Sequence, residues 1–159
     1  MGKTLIAYAS KSGTAKEAAG RIAEMLPESD LVDLTAKIPI LGDYEAAIIG
    51  GGVRIGAVHK ETKRFIDANT AKLETMRTAF FITNSFVDDA DEIIGKMLPD
   101  NLRRQAVFAG TLGGRLDIDN LKGLDKKIAK MVSKSLDEGT RVTTGLDEDA
   151  LEALISQFR

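Results

Sequence analysis

Between Ser10 and Ala15 the chain reads SKSGTA, with hydroxyls at Ser10, Ser12 and Thr14, a cation at Lys11 and a glycine at Gly13. Hydroxyls donate hydrogen bonds, and glycine lets a backbone approach a ligand closely. A helix that starts at once, as the pattern after Thr14 predicts, adds unpaired amide N–H groups and the positive end of its dipole. That set of groups suits a phosphate monoester. No Gly-Lys-Ser/Thr closes the loop, and its spacing is not GxGxxG, which argues against ATP hydrolysis and against Rossmann-type NAD binding. The same residues have a purely structural use, with Ser12 or Thr14 capping the helix and Gly13 easing the turn.

A second stretch, IIGGGVRIGAVHKETKRF from Ile48 to Phe65, carries Gly50, Gly51, Gly52 and Gly56 with Arg54 and the only histidine, His59. Four glycines exceed what one tight turn requires, and they permit positive φ and peptide reorientation. Arg54 carries the planar fork that recognises a carboxylate. His59 reads as a helix-start residue. Two further groups stand just beyond apolar runs: Asn84, Ser85 and Phe86, and then Leu112. Asp88 and Asp89 read as caps of a following helix.

These groups need elements to position them. Thr4 to Ala9 is short and apolar, as a strand buried on both faces would be. Ala15, Ala18, Ala19, Ile22, Ala23 and Leu26 fall on one helical face, which Pro27 ends. Asp30 to Leu34 reads as a second strand, Ala46 to Gly51 as a third, Thr78 to Thr83 as a fourth and Gln105 to Gly110 as a fifth. Helices are predicted over Lys60 to about Leu73 and over Asp88 to Leu98, which Pro99 stops. A fourth helix is marked by Leu121, Leu124, Ile128, Met131 and Val132, and a fifth by Ala150, Leu151, Leu154, Ile155 and Phe158. Thr140 to Thr144 has the composition of one more short strand. The basic run Lys122, Lys126, Lys127, Lys130 and Lys134 lies opposite an apolar stripe and reads as a solvated face. Strands alternating with helices dictate an α/β three-layer sandwich, a parallel sheet with helices on both faces. Ligands in such sheets bind beyond the carboxyl ends of the strands, so the loops Ser10 to Ala15, Gly50 to His59, Asn84 to Ala90 and Thr111 to Asp117 carry the function.

Composition narrows the chemistry. With 159 residues the chain fits a single domain over 1–159. No cysteine and one histidine exclude disulfides, thiolate or multi-histidine metal sites and a cysteine nucleophile. A net charge of −2 with mixed signs leaves no nucleic-acid footprint. No apolar run approaches the roughly 20 residues of a spanning helix, and the amino-terminal residues do not make a signal peptide, so the expected home is cytoplasmic.

The SKSGTA loop resembles the flavodoxin phosphate signature, Thr/Ser-x-Thr/Ser-Gly-x-Thr after the first strand, with Ser10, Ser12 and Gly13 in place. Ala15 stands where that signature carries its last hydroxyl, beside Thr14. In detail the second stretch is similar to the flavodoxin-like, menaquinone-dependent protoporphyrinogen oxidases, whose third strand leads into an Arg, an aromatic, a Gly and a His. Arg54, Gly56 and His59 match, and Ile55 replaces the aromatic. The similarity runs on through RFIDANTAKLETMRTAFFITN and VFAGTLG. It departs where the long insertion of those oxidases after the fourth strand is missing and where Leu112 to Leu121 replaces an aromatic-rich segment.

The resemblance implies a flavodoxin-like five-stranded sheet of order 2-1-3-4-5 and FMN as cofactor. It implies a phosphate site at Ser10, Lys11, Ser12, Gly13, Thr14 and Ala15, and ring contacts from Gly52, Val53, Arg54, Ile55, Gly56, Asn84, Ser85, Phe86 and Leu112. Trp is absent, and the two tyrosines, Tyr8 and Tyr44, lie outside the loops. Phe86 is then the aromatic available to the ring, with Val53, Ile55 and Leu112 as aliphatic packers. The implied function is an FMN-dependent redox protein, with a protoporphyrinogen oxidase-like oxidoreductase as the finer reading within that class. Its partners would be a redox protein, a quinone or a small-molecule substrate, with a homodimer open. A flavodoxin-type electron carrier and a cofactor-free binding module are the alternatives. The modest charge argues against the carrier, which would steer its partners with a strongly acidic face. A receiver domain is rejected, because Ser10-Lys11 and Gly50-Gly51 stand where it needs acids.

Overall fold

The computed structural model describes residues 2–11, 13–114 and 145–159. The helix expected around Leu121 to Val132, the strand at Thr140 to Thr144, the lysine run and Ser12 lie outside the described residues. Chain order is β1 (Thr4–Ala9), α1 (Thr14–Met25), β2 (Ser29–Asp33), β3 (Ala46–Arg54), β4 (Ala57–Val58), α2 (Lys60–Ala68), α3 (Thr70–Leu73), β5 (Arg77–Thr83), α4 (Ala90–Met97), α5 (Asp100–Gln105), β6 (Phe108–Thr111) and α6 (Glu148–Ser156). Five strands are parallel in the order β2-β1-β3-β5-β6, and β4 attaches antiparallel to β3. Setting the small β4 aside, this is the order 2-1-3-4-5 that the resemblance implies.

The apolar strands divide their residues between two faces, as strands covered on both sides must. Ile6, Ile48, Ala79 and Phe81 pack with Ala15, Ala18 and Ile22 of α1 and with Leu151, Leu154 and Ile155 of α6. Leu5, Ala7, Ile49, Phe80 and Ile82 pack with Phe65 and Ile66 of α2, Leu73 of α3, Ile94 and Met97 of α4 and Leu102 of α5. Arg21 of α1 makes a two-pronged pair with Glu148 of α6, which draws the Glu148 carboxyl below its ordinary pKa.

Three expectations need correction. The glycines from Gly50 onward form no loop: β3 continues to Arg54 and turns back through Ile55 and Gly56 into β4. Close packing requires two of them, because a Cβ at Gly50 would enter the Phe81 ring and one at Gly51 the Thr62 hydroxyl. The helix from Lys60 breaks at Asn69, whose Nδ2 donates to Phe65 O at 2.8 Å while the Thr70 hydroxyl donates to Ile66 O at 2.9 Å. Those side chains satisfy the carbonyls that another turn would have used. Gln105 belongs to α5 rather than to the last strand. Pro99 both ends α4 and stands at the amino cap of α5, which the buried Leu102 anchors to the core.

Candidate functional site at the carboxyl ends of the strands

The carboxyl end of β1 leads directly into α1. Gly13 sits at the amino cap with φ 89°, a left-handed conformation that glycine adopts without strain. Its N–H donates to Ser10 Oγ at 2.9 Å, and its carbonyl accepts the Glu17 N–H at 2.9 Å. The amides of Thr14, Ala15 and Lys16 thus precede the first intrahelical bond and point out of the helix start. The cap residue itself, Gly13, brings no side-chain cap bond to α1. Thr14 is 8% exposed, and the Ala15 methyl is fully buried in the core, which leaves the Ala15 main chain as the part that faces the loop. Lys11 is exposed at the tip.

Sheet register carries this corner across the rim. Ala9 pairs with Gly51, and Gly52 with Thr83. A Cβ on Gly52 would lie 3.7 Å from Thr83 Oγ1 and 3.9 Å from Ser10 Oγ, so the glycine keeps open a notch between two hydroxyls. Beyond it, Val53 pairs with Val58 and Arg54 with Ala57 in the β3–β4 hairpin. Its two turn residues both have positive φ, 53° at Ile55 and 73° at Gly56, as a type I′ turn requires. Ile55 is 78% exposed at the tip, a strained and unshielded setting for a β-branched side chain. Arg54 and Gly56 are exposed beside it, while Val53 is half-buried.

His59 closes the hairpin. Its N–H donates to Gly52 O at 2.9 Å, and its Nδ1 accepts the Glu61 N–H at 3.1 Å, which caps α2 as expected of a helix-start residue. Burial, reinforced by the positive charge of Lys11, lowers its pKa from the ordinary 6.5. The neutral ring with an acceptor at Nδ1 is the form this geometry needs.

On the far side, β5 and β6 end in a cross-linked pair of loops. Asn84 N–H donates to Gly113 O at 2.9 Å, Asn84 Nδ2 donates to Phe86 O at 2.7 Å, and the Thr111 hydroxyl reaches Asn84 Oδ1. Asn84 and Ser85 are each 8% exposed, and Phe86 is half-buried. Leu112 is fully buried among Ile6, Phe81 and Leu151, so its side chain packs the core and not the rim. Asp89 stands at the amino cap of α4 without a side-chain cap bond, contrary to expectation.

The rim therefore gathers Ser10, Gly13, Gly52, Val53, Asn84, Ser85 and Phe86 at the carboxyl ends of β1, β3 and β5. Sequence reasoning missed Thr83 and marked Thr111 only as the first residue of a loop, with no role. Each is the last residue of its strand, where the strand-end rule applies. Among the described residues there is no cluster of His, Asp or Glu that could hold a metal, and no helix long and apolar enough to cross a membrane.

Comparison with known proteins agrees with this geometry. A family model described as the flavodoxin domain matches residues 5–143. The chain is 28% identical over 87 residues to protoporphyrinogen IX dehydrogenase (quinone) of Escherichia coli K12, covering 52% of this chain and 48% of that protein. The matched stretch thus spans about half the length of that relative. It is 24% identical over 163 residues to an NAD(P)H dehydrogenase (quinone) of Sinorhizobium fredii, covering 91% of this chain and 81% of that one. Among solved structures, rubredoxin oxygen:oxidoreductase of Desulfovibrio gigas superposes with a TM-score of 0.58 at 14% identity over 84% of this chain and 37% of the other, a likeness of fold. With a family model matched along most of its length and the sheet order and strand-end site in place, this chain belongs to the flavodoxin domain family.

Proposed function

We propose that the chain binds FMN at this rim and serves as an oxidoreductase that exchanges electrons with a quinone. One observation carries the reading: the glycine-opened start of α1 lies at the end of β1, its amides outward and the Ser10 hydroxyl against Gly13 N–H. The residues fit a flavin mononucleotide. Residues 9–16 contain no carboxylate, so nothing opposes a phosphate there, and Lys11 adds a cation. The Gly52 notch lets a flat ring approach the backbone between Ser10 and Thr83.

In this reading Ser10, Lys11, Ser12, Gly13, Thr14 and the Ala15 amide hold the phosphate. Gly52, Val53, Arg54, Ile55 and Gly56 flank one face of the ring, and Asn84, Ser85 and Phe86 its pyrimidine edge; Leu112, with its side chain in the core and its main-chain groups bonded to Ile82 and Asp147, only supports that edge from behind. Bound FMN supplies one- and two-electron transfer through its ring. The chain's own part is to orient that ring, to shield it with Val53, Ile55 and Phe86, and to offer the Arg54 guanidinium to a carboxylate or to a flavin oxygen as it gains charge. Quinone as acceptor is favoured by the two curated relatives, both named for it.

The test is direct. Purified protein is examined for flavin absorbance, titrated with FMN, and assayed for quinone reduction with NAD(P)H or protoporphyrinogen IX as donor. Yellow protein that reduces quinone is expected. Colourless protein that takes up no FMN would overturn the reading and favour a cofactor-free binding module, the alternative that the lack of Tyr and Trp at the rim supports.

A further inference from the structure

We propose that Thr111 is a positioning residue for the ring end of the site, holding the Asn84 loop and the Gly113 turn together through one hydroxyl. This rests on the FMN reading. A threonine hydroxyl has one proton and two lone pairs. Thr111 Oγ1 accepts the Gly113 N–H at 3.1 Å. Its proton has two candidate acceptors, and the closer is Asn84 Oδ1, since the contact to Ile82 O is 3.4 Å. With Oδ1 committed, the Asn84 amide presents Nδ2 to Phe86 O at 2.7 Å. Main-chain bonding closes the circuit, Asn84 N–H to Gly113 O at 2.9 Å.

Main-chain groups fix the direction of the other bonds: Gly113 N–H can only donate to Thr111 Oγ1 and Phe86 O can only accept from Asn84 Nδ2, which leaves Asn84 Oδ1 to take the Thr111 proton. The Thr111 hydroxyl thereby holds the Asn84 amide in the orientation that meets the Phe86 carbonyl. The two loops meet closely: a Cβ on Gly114 would lie 3.1 Å from Asn84 N and from Asn84 C. Asn84 is 8% exposed, so water has little access to replace a lost partner. The Thr111 hydroxyl bonds to Asn84, Gly113 and Ile82, none of them in the Ser10 to Ala15 loop or the β3–β4 hairpin. Its influence is therefore confined to the 84–86 loop, the segment assigned above to the pyrimidine edge.

The experiment compares wild type, Thr111→Val and Thr111→Ser by titration with FMN and with riboflavin, by thermal melting without ligand and by the midpoint potential of the bound flavin. Thr111→Val should weaken both ligands by about tenfold, as expected when one or two buried hydrogen bonds are lost. The ratio of FMN to riboflavin affinity should stay unchanged and the potential should move. Thr111→Ser should restore both affinities to within about twofold. Should Thr111→Val fail to fold, Thr111→Ala is read in the same way. Unchanged affinities, or a lower melting temperature with unchanged affinities and potential, would mark a merely structural threonine and overturn the proposal alone. Wild type that takes up neither flavin would overturn the FMN reading and this inference with it.

Discussion

Around Gly13 the rim relies on main-chain donors, whereas around Asn84 it relies on a circuit of side chains. At the first corner a left-handed glycine turns helix-start amides outward, and most side chains in that turn are replaceable because the donors belong to the backbone. Ala15 illustrates this, its methyl buried in the core while its amide still faces the loop. At the second corner the geometry depends on residue identity, since only a hydroxyl at Thr111 and an amide at Asn84 satisfy both loops. In the proposed reading the first corner recognises charge and the second holds shape.

Substitutions at the two corners should separate these roles. The largest effect is expected from Ser10→Asp, which places a carboxylate on Gly13 N–H and at the start of α1, where a phosphate would sit. FMN affinity should fall by about a hundredfold and riboflavin affinity by less than about threefold, a split that isothermal titration resolves. Equal loss of both would mean that the loop does not read charge. Thr111→Val comes next, with its smaller loss shared by both ligands.

Changes away from the two corners should show their main effect in stability, and those effects are smaller. Ile55→Asn gives the hairpin the Asn-Gly pair that a type I′ turn prefers, relieving positive φ at a β-branched residue. Denaturant unfolding should show a gain of about 1 kcal/mol. Thr78→Val removes a fully buried hydroxyl that has no hydrogen-bond partner among the described residues, and should stabilise by up to about 1 kcal/mol without touching flavin affinity. A clear loss on unfolding would show that this hydroxyl has a partner after all.

The smallest effect is a pH dependence at His59. Its folded pKa is held below the ordinary 6.5, chiefly by burial and then by Lys11. The unfolded chain therefore binds more protons just below that value. Stability should fall as the pH drops from about 6.5 to the lowered folded value and level off beneath it. His59→Asn keeps the cap acceptor but cannot titrate, so its urea midpoint should lose this slope between about pH 5 and 7. A wild-type midpoint that rises on acidification would contradict the assigned sign.

Much of this architecture was legible in the chain. The apolar runs at Thr4 to Ala9 and Thr78 to Thr83 and the α1 stripe are strong local patterns, because residues buried on both strand faces or on one helix face must be apolar wherever they sit. SKSGTA was legible for the same reason, as a turn whose donors are local. Asn69 and Pro99 were harder. Each acts as a stop and a start at once, and which applies depends on whether the next segment finds a core to enter, as Leu73 and Leu102 do.

Composition and local pattern therefore determined by themselves the layered α/β class, the strand-end location of the candidate site and the glycine-opened start of the first helix, all properties of short segments. The tertiary structure alone decided that Gly50 and Gly51 are glycines for packing, since the Phe81 ring and the Thr62 hydroxyl that exclude a Cβ come from distant positions in the chain. It alone set Thr83 and Ser10 on either side of Gly52 and Thr111 beside Asn84, because contacts between strand ends depend on sheet order and register, which no single stretch of sequence contains.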